Sequence, residues 1–371
     1  SWGNSIEFNE APDKAGVDAM RWLYASHIPE QNLLFGYPAI DEARKKLLTL
    51  WNVYSFFITY AKVDDFDPKA ALIPLAERNV LDRWILGSLQ KLVVQAREGY
   101  GEYHVHTFMR AAERFVDELS TWYVRRSRRR FWKSESGTDK LAAYQTLYQV
   151  LVTLVELLAP ILPFVTEDMY QNLVRGGDPQ AEESVHHRSF PVADLGMVDE
   201  ALNKRMALIL DIVERGRNAR EEVRIKVRQP LQTLVIKLPE GIAAGDLAEL
   251  EPMIVEELNI KAIEYRDDIA NLLELGVQAN GSKIGPRFGK DAQKVFGALK
   301  KLIDYREGSS LDITIDGRGV TLAPEEVQVR KAAVKGWTLG SSAKVTVLIS
   351  TEVTTELKYE GLVREAIRTI Q

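Results

Sequence analysis

Helical spacing of the apolar residues in the first half of the chain is the feature that most constrains the fold. Four stripes, with members mostly three or four residues apart, lie between residues 38 and 175. They comprise Leu47, Leu48, Trp51, Tyr54, Ser55 and Ile58; Val80, Trp84, Leu86, Leu89, Leu92 and Val93; Phe108, Ala111, Ala112, Phe115, Leu119 and Trp122; and Leu147, Val150, Leu151, Leu154 and Leu158. Glycine and proline separate them, and Thr166 is expected to cap the helix after Pro163. The pattern predicts an antiparallel bundle of about five helices.

The second half has a different pattern. After a Gly-, Pro- and Glu-rich stretch at 176–191, a helix is expected over about 199–222. Two β-branched runs follow at 231–238 and 344–350, with weaker strand candidates at 260–266 and 311–315 and helical segments near 247–258 and 291–305. The sequence therefore predicts a mainly α protein, in which an antiparallel helix bundle is followed by a smaller α/β domain.

Charge and cysteine content exclude several classes of protein. The 48 basic and 53 acidic residues give a net charge of −5, so any nucleic-acid binding must come from a local patch. The chain has no cysteine, which excludes disulfides, a thiolate nucleophile and Cys-ligated zinc or iron–sulfur sites. Glu156, Pro160 and Pro163 interrupt the longest apolar run. We therefore expect a cytoplasmic protein without a membrane partner.

Conventional site motifs are weak in this sequence. Gly281, Gly285 and Gly289 are spaced too widely for a dinucleotide fingerprint, and a flexible loop is the expectation there. His104 and His106 lie two apart on a predicted helix, and the pair at 186–187 has no third ligand at a suitable spacing. We expect no metal site and no active site within the chain.

A basic stretch at residues 121–133 is the strongest local signal. It contains six cations, no acid and four aromatic residues; the cations are Arg125, Arg126, Arg128, Arg129, Arg130 and Lys133, with Trp132 beside them. On a helix, Arg125, Arg128, Arg129 and Trp132 share one side, and Arg126, Arg130 and Lys133 fall on the next.

Guanidinium groups match phosphate oxygens and also stack on bases, so these residues are candidate RNA contacts. Pairing with carboxylates of neighbouring helices is the alternative, and both can hold for different members. Replacing Arg126 and Arg130 is expected to weaken RNA binding, whereas Trp132 is expected to pack rather than stack.

A second basic run, at residues 215–228, covers the end of the helix expected over about 199–222 and the residues after it. Its candidate residues are Arg217, Arg220, Arg224, Lys226 and Arg228. They face only two acids nearby, Glu221 and Glu222. We interpret the run as a solvated helix end that enters a strand, with a secondary binding surface as the alternative.

Four segments in order along the chain resemble class I aminoacyl-tRNA synthetases. The opening Ser-Trp-Gly-Asn, with Gly-Val-Asp-Ala-Met-Arg-Trp at 16–22, resembles the residues after their Lys-Met-Ser-Lys-Ser signature, whose last residue would be Ser1. Leu-Trp-Asn at 50–52, Leu-Ala-Pro-Ile-Leu-Pro-Phe at 158–164, and Ser-Val-His at 184–186 match later positions. Further stretches at 49–60, 122–132, 216–231, 285–290 and 360–365 are similar to the isoleucyl members.

The resemblance implies a C-terminal fragment of an isoleucyl-tRNA synthetase. It divides the chain into a remnant of the stem-contact region after the catalytic core (1–36), an anticodon-binding bundle (37–198) and an α/β junction domain (199–371). The catalytic and editing parts would precede Ser1, so the fragment is expected to be inactive and free of cofactors. The full-length enzyme would attach isoleucine to tRNA(Ile) with ATP and Mg.

Under this interpretation we expect a monomer that binds tRNA(Ile) and no DNA. Two other interpretations of the same residues stay open. A valyl or leucyl fragment is one alternative, although β-branched runs follow the bundle where the valyl family has a coiled-coil arm. A helical scaffold whose arginines pair with protein carboxylates is another.

Overall fold

The structure, a computed structural model, describes residues 6–7, 9–132, 137–299 and 309–370. It divides into two compact units, Ser1–Asn203 and Lys204–Gln371. The first is helical and the second mixes strands with helices. The predicted fold class, a helix bundle followed by a smaller α/β domain, is confirmed. The finer division into 1–36, 37–198 and 199–371 stays a prediction.

Eight α-helices of the first unit lie in the described residues. They are α1 (Glu10–Ala15), α2 (Val17–Ser26), α3 (Tyr37–Val63), α4 (Val80–Gly101), α5 (Val105–Glu118), α6 (Arg125–Trp132), α7 (Thr138–Leu158) and α8 (Pro163–Tyr170). The Asn79 side chain caps α4 by accepting a 2.9 Å hydrogen bond from the Leu81 N–H. A next helix, α9 (Glu200–Glu222), spans the division between the units.

The core of the bundle is built mainly from α4, α5 and α7. Five of the six residues predicted for it are buried: Trp84, Leu89, Phe115, Leu151 and Leu154. The sixth, Trp51, is half-buried, with its ring 5.0 Å from that of Tyr54. On α3 the buried residues are Ile40, Ala43, Leu50, Val53, Tyr54 and Phe57. The predicted stripe on α3 is therefore only partly in the core, because Tyr54 is buried whereas Leu48 is 52% exposed.

The start of α8 differs from the prediction. Thr166 does not cap α8, because the helix already begins at Pro163, where the missing N–H costs nothing. The Thr166 hydroxyl instead donates to the Leu162 carbonyl at 2.7 Å.

Among the described helices, α7 is long and apolar enough to cross a membrane by length and composition. However, 67% of its most apolar 18-residue stretch is buried inside the protein.

The second unit contains eight described strands and four helices after α9. The strands are β1 (Leu231–Lys237), β2 (Ile260–Tyr265), β3 (Leu273–Ala279), β4 (Leu311–Ile315), β5 (Arg318–Leu322), β6 (Val327–Ala333), β7 (Trp337–Ser341) and β8 (Thr346–Ser350). The helices are α10 (Glu251–Leu258), α11 (Gly281–Phe288), α12 (Ala292–Leu299) and α13 (Thr355–Ile370).

Four of the strands form one mixed sheet in the order β2-β1-β8-β7. β1 and β2 are parallel, and α10 lies between them in the chain, as a parallel pair requires a crossover. The remaining strands form two antiparallel ribbons, β3–β6 and β4–β5. A separate apolar cluster, which includes Val277, Ile284, Val295, Ile313 and Leu322, packs the ribbons against α11 and α12.

The predicted runs at 231–238, 260–266, 311–315 and 344–350 all contain strands, namely β1, β2, β4 and β8. β3, β5, β6 and β7 were not predicted from the sequence. The glycine-rich stretch, for which a loop was expected, instead forms α11 with Pro286 inside it. Ile284 is fully buried in the cluster described above. Burial of this side chain offsets the poor helix propensity of glycine and proline.

Candidate nucleic-acid interface

The basic stretch lies at the end of one long helical run. α5 continues through a π-helical segment, Leu119–Val124, directly into α6. A π turn holds more residues than an α turn, so it changes which side of the following helix faces the bundle. The sequence predicted the helix and its two basic sides, but the structure decides which side is inward.

One arginine of α6 points into the bundle. Arg130 is 9% exposed and grips Asp82 on α4 at two points: Nη1 donates to Oδ1 at 2.8 Å and Nη2 to Oδ2 at 2.6 Å. Its Nε and Nη2 also reach Asp139 at the start of α7, whose Oδ2 and carbonyl oxygen lie 3.1 and 2.9 Å away. The guanidinium is thus fully engaged inside the protein.

Tyr123 completes the environment of Asp82. Its hydroxyl donates to Asp82 Oδ1 at 2.7 Å from the end of the π segment. Burial raises the pKa of Tyr123 well above its ordinary value, and the negative charge of Asp82 adds to the effect. The tyrosine therefore stays a neutral donor, and the fully buried Asp82 carboxylate is satisfied on both oxygens.

These contacts correct part of the predicted interface. The guanidinium of Arg130 cannot bind a phosphate while it is bonded to Asp82. The prediction that Arg130 contacts RNA is therefore corrected. Arg126, on the same side of α6, is half-buried. Lys133, the third member predicted for this side, lies outside the described residues, as does Ser1.

The other predicted side of α6 faces solvent. Arg125, Arg128 and Arg129 are exposed, and the Arg125 Nε donates to the Thr121 carbonyl at 2.7 Å. Arg128 and Arg129 have no ion-pair partner in the part of the chain that the structure describes. Trp132 is 55% exposed, so the expectation that it packs under the bundle was wrong. We name the exposed residues Arg125, Arg128, Arg129 and Trp132 the outer face of α6.

The second basic run divides into paired, buried and exposed members. Arg217 pairs with the carboxylate of Glu257. Arg224, Lys226 and Arg228 are exposed, and Lys226 Nζ lies 3.4 Å from a carboxylate oxygen of Glu365.

Arg220 is 1% exposed and therefore belongs to no surface. Its Nη1 donates to the carbonyls of Lys226 and Gln229 at 3.1 and 3.0 Å. Its Nη2 donates to those of Leu258 and Asn259 at 2.6 and 3.3 Å. The prediction of Arg220 as a surface residue is thus corrected, because its guanidinium serves the backbone of the loop after α9.

No group of three or more His, Asp or Glu side chains within the described ranges is arranged to hold a metal ion. The rings of His104 and His106 have centroids 6.2 Å apart, and His104 lies at the cap position before α5 rather than within it.

Two positioning residues escaped the sequence analysis. Asp82 lies within the apolar stripe of α4, where a carboxylate in an otherwise buried position signals an unseen cationic partner. Asn259 has φ +49° at the end of α10, a position that favours Asn or Gly, and its side chain donates to two loop carbonyls. Neither partner is close in sequence, so the contacts could not be read from spacing.

Comparison with known families identifies the class of domain. Residues 82–235 match the family model described as the anticodon-binding domain of tRNA ligase. The match begins at Asp82, in the first turn of α4, and ends at Val235, within β1. The chain therefore contains an anticodon-binding domain of the tRNA-ligase type.

Similarity over the whole chain specifies the ligase further. The isoleucine–tRNA ligases of Thermus thermophilus and Streptomyces avermitilis are both 38% identical to it, over 100% of this chain and 36% and 35% of their own lengths. That of Clostridium tetani is 36% identical, over 100% of this chain and 36% of its length. The chain is homologous throughout to isoleucine–tRNA ligases and spans about a third of their length.

A solved structure gives a more distant likeness. The ternary complex described as Agrobacterium radiobacter K84 agnB2 LeuRS-tRNA-LeuAMS matches with a TM-score of 0.42 and 17% sequence identity. The match covers 53% of this chain and 22% of that chain.

Proposed function

We propose that this chain holds the anticodon arm of tRNA(Ile) within an isoleucine–tRNA ligase, which uses ATP and Mg to attach isoleucine to its tRNA. The observation that carries the proposal is the outer face of α6. Three arginines and a tryptophan are exposed together there, inside the segment that matches an anticodon-binding domain. Arginine forks fit phosphate oxygens, and an exposed indole offers a stacking surface for a base.

The exposure of the side chains supports some members of the basic stretch over others in this role. The side chains of Arg128 and Arg129 are exposed, whereas Arg130 donates its hydrogen bonds to Asp82 and Asp139. The contacts are expected to go mostly to phosphates, so they position the RNA without reading much sequence.

Three expectations about the protein remain predictions. These are a cytoplasmic location, a monomeric state, and the inability of these 371 residues alone to form isoleucyl adenylate. The last is checked by isoleucine-dependent pyrophosphate exchange against a control without protein.

The test is tRNA binding by the Arg128→Ala/Arg129→Ala variant across a series of salt concentrations. We expect weaker binding to a tRNA(Ile) transcript, with a log–log salt slope lower by about 0.7–0.9 for each phosphate that the variant no longer binds. The matched control is Arg44→Ala/Lys45→Ala, which removes two exposed cations of α3. An unchanged slope would favour the alternative of a helical scaffold without RNA.

A further inference from the structure

The loop after α9 has an unusual arrangement of its carbonyl groups. The Gln229 N–H donates to the Lys226 carbonyl at 3.0 Å and closes a tight turn, which we name the 226–229 turn. Arg220 Nη1 binds the first and last carbonyls of this turn, at 3.1 and 3.0 Å. Asn259 Nδ2 binds the two middle ones, of Val227 and Arg228, both at 3.0 Å. All four carbonyls thus point to the same two side chains.

This arrangement determines where the amide hydrogens of the turn point. In a trans peptide plane the N–H lies opposite the C=O of the preceding residue. Because the Lys226 and Val227 carbonyls point to Arg220 and Asn259, the N–H groups of Val227 and Arg228 point away from them. Neither N–H has a hydrogen-bond partner in the described ranges, and both residues are exposed. Successive amides of this kind form a concavity that suits an anion.

The charge beneath the turn adds to its positive potential. Arg220 is bound to carbonyls alone and has no carboxylate partner among the residues that the structure describes. Burial lowers its pKa to about 10, so it still carries a full charge at neutral pH. The exposed cations Lys226 and Arg228 belong to the turn, and the exposed Arg224 precedes it by two residues.

Opposing charges lie to the side of the turn. Glu221 and Glu222 end α9, and Glu365 of α13 lies 3.4 Å from Lys226 Nζ. The Lys226–Glu365 pair is exposed on both sides, 74% and 42%, and such pairs contribute little free energy. An incoming dianion can therefore compete with Glu365 for Lys226.

From these contacts we propose that the 226–229 turn is a phosphate-binding site. The amide N–H groups of Val227 and Arg228 bind the phosphate oxygens, and the Lys226 and Arg228 side chains neutralise their charge. The phosphate can come from an RNA backbone or from free phosphate. The first source rests on the proposed function, whereas the site itself does not. Arg220 and Asn259 are its positioning residues, because they hold the carbonyls away from the anion.

The experiment follows the Val227 amide by NMR in the deuterated 371-residue chain labelled with 15N-valine. The Val227→Ile variant assigns the resonance. Inorganic phosphate and a tRNA(Ile) transcript are added in separate titrations. We expect the Val227 amide to shift in both, and to require about tenfold more phosphate in Lys226→Ala/Arg228→Ala. The control Lys335→Ala/Lys344→Ala removes two other exposed lysines of the same unit and is expected to match the wild type.

The outcomes separate the site from the proposed function. A shift with phosphate but none with the transcript supports a site for free phosphate and counts against the proposed tRNA contact. A shift with the transcript alone supports the site with an RNA backbone as its source. If the wild-type Val227 amide moves with neither, or moves equally in Lys226→Ala/Arg228→Ala, the phosphate site is overturned.

Discussion

Arg130 and Asp82 lie 48 residues apart and join α6 to α4 through two hydrogen bonds of 2.8 and 2.6 Å. The Asp82 side chain is fully buried and the Arg130 side chain is 11% exposed. A charge pair at such depth gains little net free energy when formed, yet each member depends on the other to remain buried. The pair therefore fixes the orientation of α6 and of the exposed residues it carries.

Removing the arginine should expose this dependence. We expect Arg130→Met to lower the free energy of unfolding by about 3–5 kcal/mol, because it leaves the Asp82 carboxylate buried without its partner. Arg129→Met, one residue earlier and exposed, should change it by about 0.5 kcal/mol or less. Urea unfolding followed by circular dichroism measures both. Equal losses in the two variants would contradict the assignment of inner and outer sides.

Trp132 should affect RNA binding more than stability. Because it is 55% exposed beside Arg128 and Arg129, we expect Trp132→Ala to weaken tRNA binding by about 1–3 kcal/mol, the range for removing one base stack. Trp132→Phe should retain most of the affinity. Phe164→Ala, which removes another exposed aromatic ring of the same unit, is the control. Fluorescence anisotropy measures tRNA binding by these variants. A large drop in the stability of Trp132→Ala with unchanged tRNA binding would contradict the prediction.

Glu118, the last residue of α5, should make stability depend on pH. Burial raises its pKa above the ordinary value, and the nearby positive charge of Arg114 only partly opposes this. The ionised carboxylate therefore costs stability once the pH rises above its folded-state pKa. We expect Glu118→Gln to be more stable than the wild type at pH 7, with the difference disappearing as the pH falls below about 4. Urea unfolding at both pH values measures the difference, and a gap of the same size at both would refute it.

Arg220 should be essential for the loop after α9. Arg220→Ala removes one donor from each of four carbonyls, of which those of Lys226 and Asn259 keep a backbone N–H partner. Each buried polar group left unsatisfied costs about 1–3 kcal/mol. We expect a loss of about 3 kcal/mol or more in the free energy of unfolding, whereas Arg228→Ala at the exposed end of the same run should cost about 0.5 kcal/mol or less. Thermal and urea unfolding provide the comparison. A small effect of Arg220→Ala would mean that water replaces the guanidinium.

The α6 segment shows how far sequence reasoning reaches for the candidate interface. Helical spacing correctly grouped Arg125, Arg128 and Arg129 on one side and Arg126 and Arg130 on the other. It could not say which side faces the bundle, because that depends on Asp82, which lies on a different helix. Arg126 and Arg130, the pair whose replacement was expected to weaken RNA binding, accordingly lie on the inner side. Periodicity gives the grouping of residues, while long-range partners decide their exposure.

The same limit applies to the fold. Runs such as 231–238 and 344–350 carry enough β-branched residues to identify β1 and β8. β3 and β7 contain glycine and polar residues, which weakens the local preference for a strand. Strand pairing overrides that preference, because β3 pairs with the distant β6 and β7 pairs with the next strand, β8. The glycine-rich α11 is helical because Ile284 packs into a cluster to which five other elements contribute, namely β3, α12, β4, β5 and β6. Local propensity does not predict the secondary structure of a segment where tertiary packing of this kind determines it.

The π segment Leu119–Val124 separates the chemistry of α6 from the direction in which that chemistry points. An α-helix turns about 100° per residue, so deleting one residue from the segment would rotate α6 by that angle without changing any of its side chains. Arg130 would then leave Asp82, and a different set of arginines would meet solvent. The six residues of this segment thus determine which arginines of α6 are exposed, although the proposal gives them no contact with RNA. A single deletion there would change the composition of the basic surface without replacing any arginine.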